Sequence, residues 1–429
     1  MTIAAEPVPT TAISQPSAPS TLQHLPGLDG LRGFAVVAVL AFHGGFSWAI
    51  GGYLGVSLFF TLSGFLICRL LVAERATTGR IRLGRFWDRR FRRLAPAAMA
   101  ALALIVVFGF TVATPSQRYN LGGDIRAALA YLANWHLYFG GQSYAAIFTD
   151  PSPVQHFWSL AIEEQFYLVF PLVVAATLAV FRGSRRALSA VLLALACGSF
   201  ALQLAFTNHD RAYYGTDTRA LELLAGALLA LALVKSERRV TRGNRAAWTF
   251  GTAAVATAVV VAWMWHHLSQ QSSWLYRGGF AVVAATSVVL ILGAIAPGPV
   301  RTICSLEPIR YVGRISYGLY LFHWPIFLWL DPDRVGLVGW RLFAVRCAVT
   351  FALAAASFRL LEWPIRSRRM LGGWSFAPAF VASAIVIGLT ATVAIPRPAS
   401  SEVITVADYQ GAATSLGAPP PPPASVSTD

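Results

Sequence analysis

Charge is scarce in this 429-residue chain: 12% of its residues are Asp, Glu, Lys or Arg, about half the share of an ordinary soluble domain. With 56% hydrophobic residues and a mean hydropathy of +0.58, that deficit excludes a water-soluble enzyme, a disordered regulator and a fibrous protein. Lysine is almost missing, Lys235 being the only one. Cysteine is sparse as well. Cys68, Cys197, Cys304 and Cys347 stand singly with no CxxC pair, so neither a zinc site nor a disulfide framework is indicated and no metal is expected. Walker A, GxSxG, HExxH and GxGxxG signatures are all lacking. The first 24 residues have no basic region followed by a short apolar core, so no cleaved signal peptide is expected.

What the chain does have is apolar blocks near 20 residues long, enough to cross a hydrocarbon core of about 30 Å. They fall at about 28–50, 53–72, 95–114, 157–181, 187–207, 218–235, 247–266, 275–296, 315–331, 341–361 and 374–395. The fold expected is an all-α polytopic transmembrane bundle. Residues 1–24 and 396–429, rich in Pro, Ser, Thr and Ala, are expected to be disordered tails. No internal sequence repeat of the secondary-transporter kind is evident.

The formal net charge is +15 and almost all of the positive charge is arginine. In a soluble protein this would suggest nucleic acid. Here the arginines crowd into short connections between apolar blocks, above all residues 73–93, which is the positive-inside pattern of a bilayer protein. No nucleic-acid partner is expected. The loop charges agree with one another only if the short apolar segment 124–140, with Asp124, Arg126, Asn134 and His136, is re-entrant or interfacial. The expected topology is then eleven crossings of the plasma membrane, with a cytoplasmic N-terminus and an extracytoplasmic C-terminus.

Ionisable residues within apolar spans are costly, and each is a functional candidate by default. Arg32 and His43 lie eleven positions apart in the first block. That spacing returns to nearly the same helix face about 16 Å further along, which suits a long anionic ligand with a basic anchor below and an imidazole above. Arg32 could also merely snorkel, and His43 could be a satisfied interior histidine. Arg89 with Arg92, and Arg90 with Arg93, are i,i+3 pairs on shared faces. Guanidinium forks bind phosphate bidentately, although such a cluster can equally set topology. Glu163 and Glu164 sit two turns into an apolar helix and need partners, which an arginine could provide structurally. Arg219 with Glu222, and Glu362 with Arg366, read most simply as internal ion pairs. Tyr317, Tyr320 and His323 share one face, with His323 mid-span.

Eight segments together resemble the acyltransferase-3 family of multi-pass membrane acyltransferases. They are GLDGLRGFAVVAVLAFH (27–43), GYLGVSLFFTLSGFLI (52–67), FWDRRFRRLAP (86–96), NWHLYF (134–139), HFWSLAIEEQFYLVFP (156–171), TRALELLAGALLA (218–230), YVGRISYGLYLFHWPI (311–326) and LEWPIR (361–366). The family's signatures are matched by Arg32, His43, Arg90 and Arg93. The resemblance implies a ten-span core over 25–370, with 374–395 as an eleventh helix. It implies transfer of an acyl group, usually acetyl from cytoplasmic acetyl-CoA, to a hydroxyl of a carbohydrate or glycolipid at the cell surface. Some members carry an extracytoplasmic esterase-like domain after the extra helix. Here only about 34 polar residues follow, so either the core acts alone or a separate esterase-like protein supplies that activity. On this reading Arg32, Arg89, Arg90 and Arg93 hold the acyl-CoA, and His43 is general base or acyl relay. Glu164, ahead of Glu163, would orient His43 or the sugar hydroxyl. Trp158, Ser159, Tyr317, Tyr320 and His323 would line the channel or stabilise the oxyanion. Two rival readings are a proton-coupled transporter or flippase using the buried His and Glu, and a polyprenyl-phosphate glycosyltransferase. The second is disfavoured by the absence of any acid between His43 and Tyr53.

Overall fold

The computed structural model describes residues 23–141, 151–234, 236–242, 245–372, 376–396 and 398; both expected tails lie almost wholly outside them, as does Lys235. Among the described residues every regular element is helical. Hydrocarbon offers the backbone no partners, and a helix satisfies its own. In chain order the helices are α1 (Pro26–His43), α2 (Gly55–Thr78), α3 (Leu83–Thr111), α4 (Pro115–Leu129), α5 (Ala133–Phe139), α6 (Phe157–Val180) and α7 (Arg185–Ala205). There follow α8 (His209–Tyr214), α9 (Thr216–Leu233), α10 (Glu237–Arg242), α11 (Arg245–His267), α12 (Phe280–Ile295), α13 (Pro299–Cys304) and α14 (Glu307–Arg314). The last are α15 (Ser316–Trp329), α16 (Pro332–Val335), α17 (Gly339–Ser357), α18 (Trp363–Arg366) and α19 (Phe376–Leu389).

Among the described residues eight helical stretches are long and apolar enough to cross a membrane, which makes this a multi-pass membrane protein. Three of the eleven expected spans, α1, α9 and α15, are not among the eight. Each carries the polar residues singled out above: α1 has Arg32 and His43, α9 has Asp217, Arg219 and Glu222, and α15 has 14 residues with Tyr320 and His323 among them. Burial sorts the helices into two tiers. The apolar windows of α2 and α3 are 67% and 61% buried, whereas those of α11, α17 and α19 are 17% buried. The inner tier holds the polar site and the outer tier faces lipid.

Small residues bring the inner helices close, as is usual where lipid supplies no hydrophobic drive. A β-carbon at Gly64 of α2 would collide with the Leu223 carbonyl of α9, and one at Gly226 of α9 with the Thr61 carbonyl of α2. The same crossing buries Arg219, whose Nε donates to Glu222 at 2.8 Å and whose guanidinium also reaches the Tyr213 carbonyl (3.2 Å) and Ser57 Oγ (3.2 Å). Phe60, Trp158, Tyr213 and Phe280 surround it. The ion pair expected from sequence is therefore present and fully enclosed. Arg219→Met is expected to cost about 3–5 kcal/mol by stranding a buried carboxylate. Adding Glu222→Leu should return most of that loss, as measured by thermal unfolding in detergent.

The segment 124–140 holds the end of α4 and all of α5, helices of 15 and 7 residues, each shorter than a crossing. Their connecting turn meets α6 well below its first residue: Gln165 Nε2 donates to the Tyr131 carbonyl (2.8 Å) and to Asn134 Oδ1 (3.0 Å). Gln165 is eight positions into α6, about 12 Å along its axis, so the hairpin dips and returns. A capping box of Thr114 and Gln117 starts α4. α19 packs across this hairpin and α3, with Phe380 edge-on to Phe91 (4.4 Å) and Arg126 donating to Thr392 (3.0 Å).

Candidate active site

Two prolines shape the site through the carbonyls they release. A helical proline cannot donate to the carbonyl four residues back. Pro325 in α15 thereby frees the Leu321 carbonyl, and His156, the residue capping α6, donates to it from Nε2 at 2.9 Å. Pro171 in α6 likewise frees the Tyr167 carbonyl, which Trp87 Nε1 of α3 takes at 3.0 Å. The first bond docks α6 on α15 and the second docks α3 on α6.

His43 ends α1 with 5% of its surface exposed. Its Nδ1 lies 2.9 Å from Nε2 of the fully buried His323, whose Nδ1 lies 2.6 Å from the Tyr320 carbonyl. A carbonyl oxygen only accepts, so His323 Nδ1 carries the proton there. A neutral His323 then presents a lone pair at Nε2, and His43 must donate to it from Nδ1. In that tautomer the lone pair of the His43 ring is at Nε2. The ring of Trp324 packs against His43 at 4.7 Å, and its Nε1 donates to the Ser152 carbonyl. Tyr320 OH meets Ser159 Oγ at 2.7 Å and donates to the His156 carbonyl at 3.0 Å. His156 completes this group, its ring 5.6 Å from that of His323. Its Nδ1 is a buried acceptor with no hydrogen-bond partner in the structure, which is rare enough to need a reason.

The α4–α5 hairpin reaches the same end of the molecule. Ser152 Oγ donates to Asp124 Oδ2 (2.5 Å), and His136 Nε2 meets Asp124 Oδ1 (2.9 Å). The hydrogen bond to buried Asp124 raises the His136 pKa above the ordinary histidine value, so the contact is strongest on the acid side and weakens as pH climbs through the raised value.

At the other end of α1 lies a group of arginines. Arg32 of α1, Arg90 and Arg93 of α3, and Arg366 of α18 lie within electrostatic reach of one another around Arg93. None of the four forms a contact ion pair or a hydrogen bond among the described residues. Glu163 is near Arg32, Arg90 and Arg93, but its carboxylate takes hydrogen bonds from Ser63 Oγ (2.6 Å) and Tyr167 OH (3.4 Å). Glu164 faces Arg90 and Tyr131. A π turn at Phe358–Glu362 buries Glu362 beside Ser357, in reach of Arg93 and Arg366. Tyr317 OH donates to the Leu94 carbonyl (2.9 Å) and ties α15 to α3 beside Arg93.

The structure therefore brings His43, His323, Tyr320 and Ser159 together at one end, and Arg32, Arg90 and Arg93 at the other. It places several expected residues elsewhere. Arg89 is exposed and meets Glu74 at 3.7 Å, although it stands one turn before Arg93 on α3. Trp158 turns into the Arg219 box, because it points about 100° from Ser159. Glu163 and Glu164 keep company with arginines, while His43 meets His323. Glu362 and Arg366 are near each other without a contact ion pair. Sequence reading missed His156 and Arg366 as site residues.

The chain is thus a polytopic helical protein with a buried, hydrogen-bonded histidine pair at one end of α1 and arginines without contact ion pairs at the other. A family model described as an acyltransferase domain matches residues 25–390, and the chain belongs to that family. It is 38% identical over 355 residues to the peptidoglycan O-acetyltransferase OatA of Listeria monocytogenes, covering 80% of this chain and 56% of that protein. It is 32% identical over 350 residues to the O-acetyltransferase OatA of Staphylococcus aureus, covering 81% of this chain and 58% of that one. The chain thus spans a little over half the length of these relatives. No solved structure matches it.

Proposed function

We propose that this protein is a membrane O-acyltransferase that moves an acetyl group from cytoplasmic acetyl-CoA to a hydroxyl of a cell-envelope carbohydrate, with peptidoglycan glycan as the favoured acceptor. The observation that carries this reading is the proton relay Tyr320 carbonyl–His323–His43, which leaves a base at His43 Nε2. Its complement is the set of unpaired arginines at the opposite end of the same helix. Loop arginines put the Arg32 end in the cytoplasm, where acetyl-CoA is made, and the His43 end toward the envelope.

Arg32, Arg90, Arg93 and Arg366 take the CoA phosphates, and the pantetheine arm runs along α1 toward His43. His43 Nε2 removes the proton from the acceptor hydroxyl as its oxygen attacks the thioester carbonyl. The tetrahedral intermediate collapses, the C–S bond breaks, and the imidazolium returns its proton to the departing thiolate. The products are an O-acetyl ester and free CoA. The Tyr320 hydroxyl can donate to the oxyanion by turning from the His156 carbonyl, with Ser159 donating to it in turn, and the acceptor His156 Nδ1 can take a hydrogen bond from substrate. Glu164 is placed to order water or substrate in the lower half of the path. An acetyl-His43 intermediate is the variant in which donor and acceptor react in turn.

The test is reconstitution in liposomes with radiolabelled acetyl-CoA and glycan oligomers. Acetyl ester on the glycan, dependent on the protein and released by mild alkali, supports the reading. Glycan or lipid flux without acetyl-CoA, and no ester, would instead favour a transporter.

A further inference from the structure

Beyond His43 the chain leaves the helix through Gly44 and Gly45 and enters an aromatic cluster that the reaction scheme does not use. Phe46 stacks on Trp340 with ring centroids 4.2 Å apart and planes at 29°, and on Trp48 at 5.4 Å and 23°. Trp48 and Trp340 are themselves nearly parallel, 14° apart at 6.1 Å. Three rings from two distant segments thus form one slab of stacked, nearly parallel rings, flat on its outer ring face. It is open: Trp48 is 45% exposed and Trp340 61%. It is also continuous with the site. Phe343 stands edge-on to Phe46 (4.9 Å), Phe327 edge-on to Phe343 (6.2 Å), and Phe327 edge-on to His323 (5.8 Å). Gly44 is part of this join, since a β-carbon there would lie 2.8 Å from the Phe343 ring.

Single tryptophans are ordinary at a membrane interface, where the ring sits at headgroup level. Lipid anchoring does not call for three parallel rings, nor for an unbroken row of rings back to the imidazole relay. A pyranose ring does suit such a plane. Its axial C–H bonds make an apolar face that lies flat on an aromatic surface, while its equatorial hydroxyls stay in water.

We propose that the Phe46–Trp48–Trp340 slab is a carbohydrate subsite. It holds one sugar ring of the acceptor glycan while a neighbouring ring presents its hydroxyl to His43. This rests on the carbohydrate-acceptor reading and adds a prediction about acceptor length.

The probe is a set of β-linked N-acetylglucosamine oligomers of one to four rings, with the full chain in detergent micelles. Affinity and acetyl transfer are measured for each oligomer, with acetyl-CoA affinity as a control. The unsubstituted protein should prefer oligomers to the single sugar by about tenfold or more, the scale of one good ring-stacking contact. Trp340→Ala and Trp48→Ala should each erase most of that preference, and Trp340→Phe should keep it. Acetyl-CoA affinity should move less than about twofold. A preference that survives both alanine variants overturns the subsite. So does a uniform loss of oligomer, monomer and acetyl-CoA binding with a lowered melting temperature, which marks the rings as membrane anchors. Failure of the unsubstituted protein to bind or acetylate any oligomer would strike the carbohydrate reading itself, a result separable from intact binding with no effect of the substitutions.

Discussion

His43→Ala is expected to fold, to bind acetyl-CoA, and to transfer acetyl about 10³-fold more slowly than the unsubstituted protein, within the range for loss of a positioned general base. The ring is buried at the end of α1, so the same transfer should be measured for His43→Asn, which fills more of the space but has no basic nitrogen. Both variants should fail alike. His323 touches His43 and not the reacting atoms, which makes it a positioning residue. Its removal should cost less than that of His43, and should alter the pH–rate profile because the imidazole tautomer is no longer fixed. His323→Gln, whose amide oxygen can still accept from His43 Nδ1, should retain more activity than His323→Ala. A rapid quench after mixing with acetyl-CoA, followed by mass spectrometry of the α1 peptide, separates direct transfer from relay. Full activity in His43→Ala would remove the chemical role assigned here, whatever family the chain belongs to.

The same histidine illustrates how far the sequence reaches. His43 and Arg32 are legible because they interrupt an apolar block at a spacing that returns to one helix face. The paired arginines of α3 are legible too, although the apolar pattern begins near residue 95 and the helix begins at Leu83. The arginines are thus held rigidly on the helix rather than in a loop, and Arg89, one turn before Arg93, is exposed and meets Glu74. What could not be read is whatever depends on contacts between distant segments. His156 becomes a site residue because Pro325, 169 positions later, frees a carbonyl for it. Arg366 joins Arg93 because the π turn at Phe358–Glu362 shifts the register of the last helical turns. Trp158 and Ser159 are neighbours in sequence but serve different interfaces. Hydropathy also has a blind spot at the centre of interest: α1 and α9 fall short as membrane spans because of the charged and polar residues they bury, and α15 because it has only 14 residues. One signal did point to His156. It stands directly before an apolar helix, in the same HFW run that supplied Ser159.

The second large effect concerns the arginines. Four guanidinium groups without contact carboxylates repel one another, and that arrangement is maintained at a cost unless an anion is bound. Arg93 sits at its centre, between Arg32, Arg90 and Arg366. Each charge-assisted hydrogen bond to phosphate lost on truncation should weaken acetyl-CoA binding by about 10- to 100-fold. Arg93→Ala should therefore raise the acetyl-CoA Kd about 30-fold, and Arg90→Ala with Arg93→Ala by a further factor of about 10. Arg93→Lys should recover only part of this, because an ammonium carries the charge but not the planar fork. The salt dependence of binding should flatten with each arginine removed, since fewer charges remain to be screened. Arg89→Ala is the internal control: its side chain is exposed, pairs with Glu74 and is not among the charges around Arg93, so acetyl-CoA affinity should change less than about threefold. Dephospho-CoA, which lacks the ribose phosphate, supplies the ligand side of the cycle. If the cluster reads that phosphate, the unsubstituted protein discriminates between the two forms and an arginine variant does not. Equal losses of acetyl-CoA and glycan affinity in Arg93→Ala, accompanied by a lowered melting temperature, would assign these arginines to topology and packing instead.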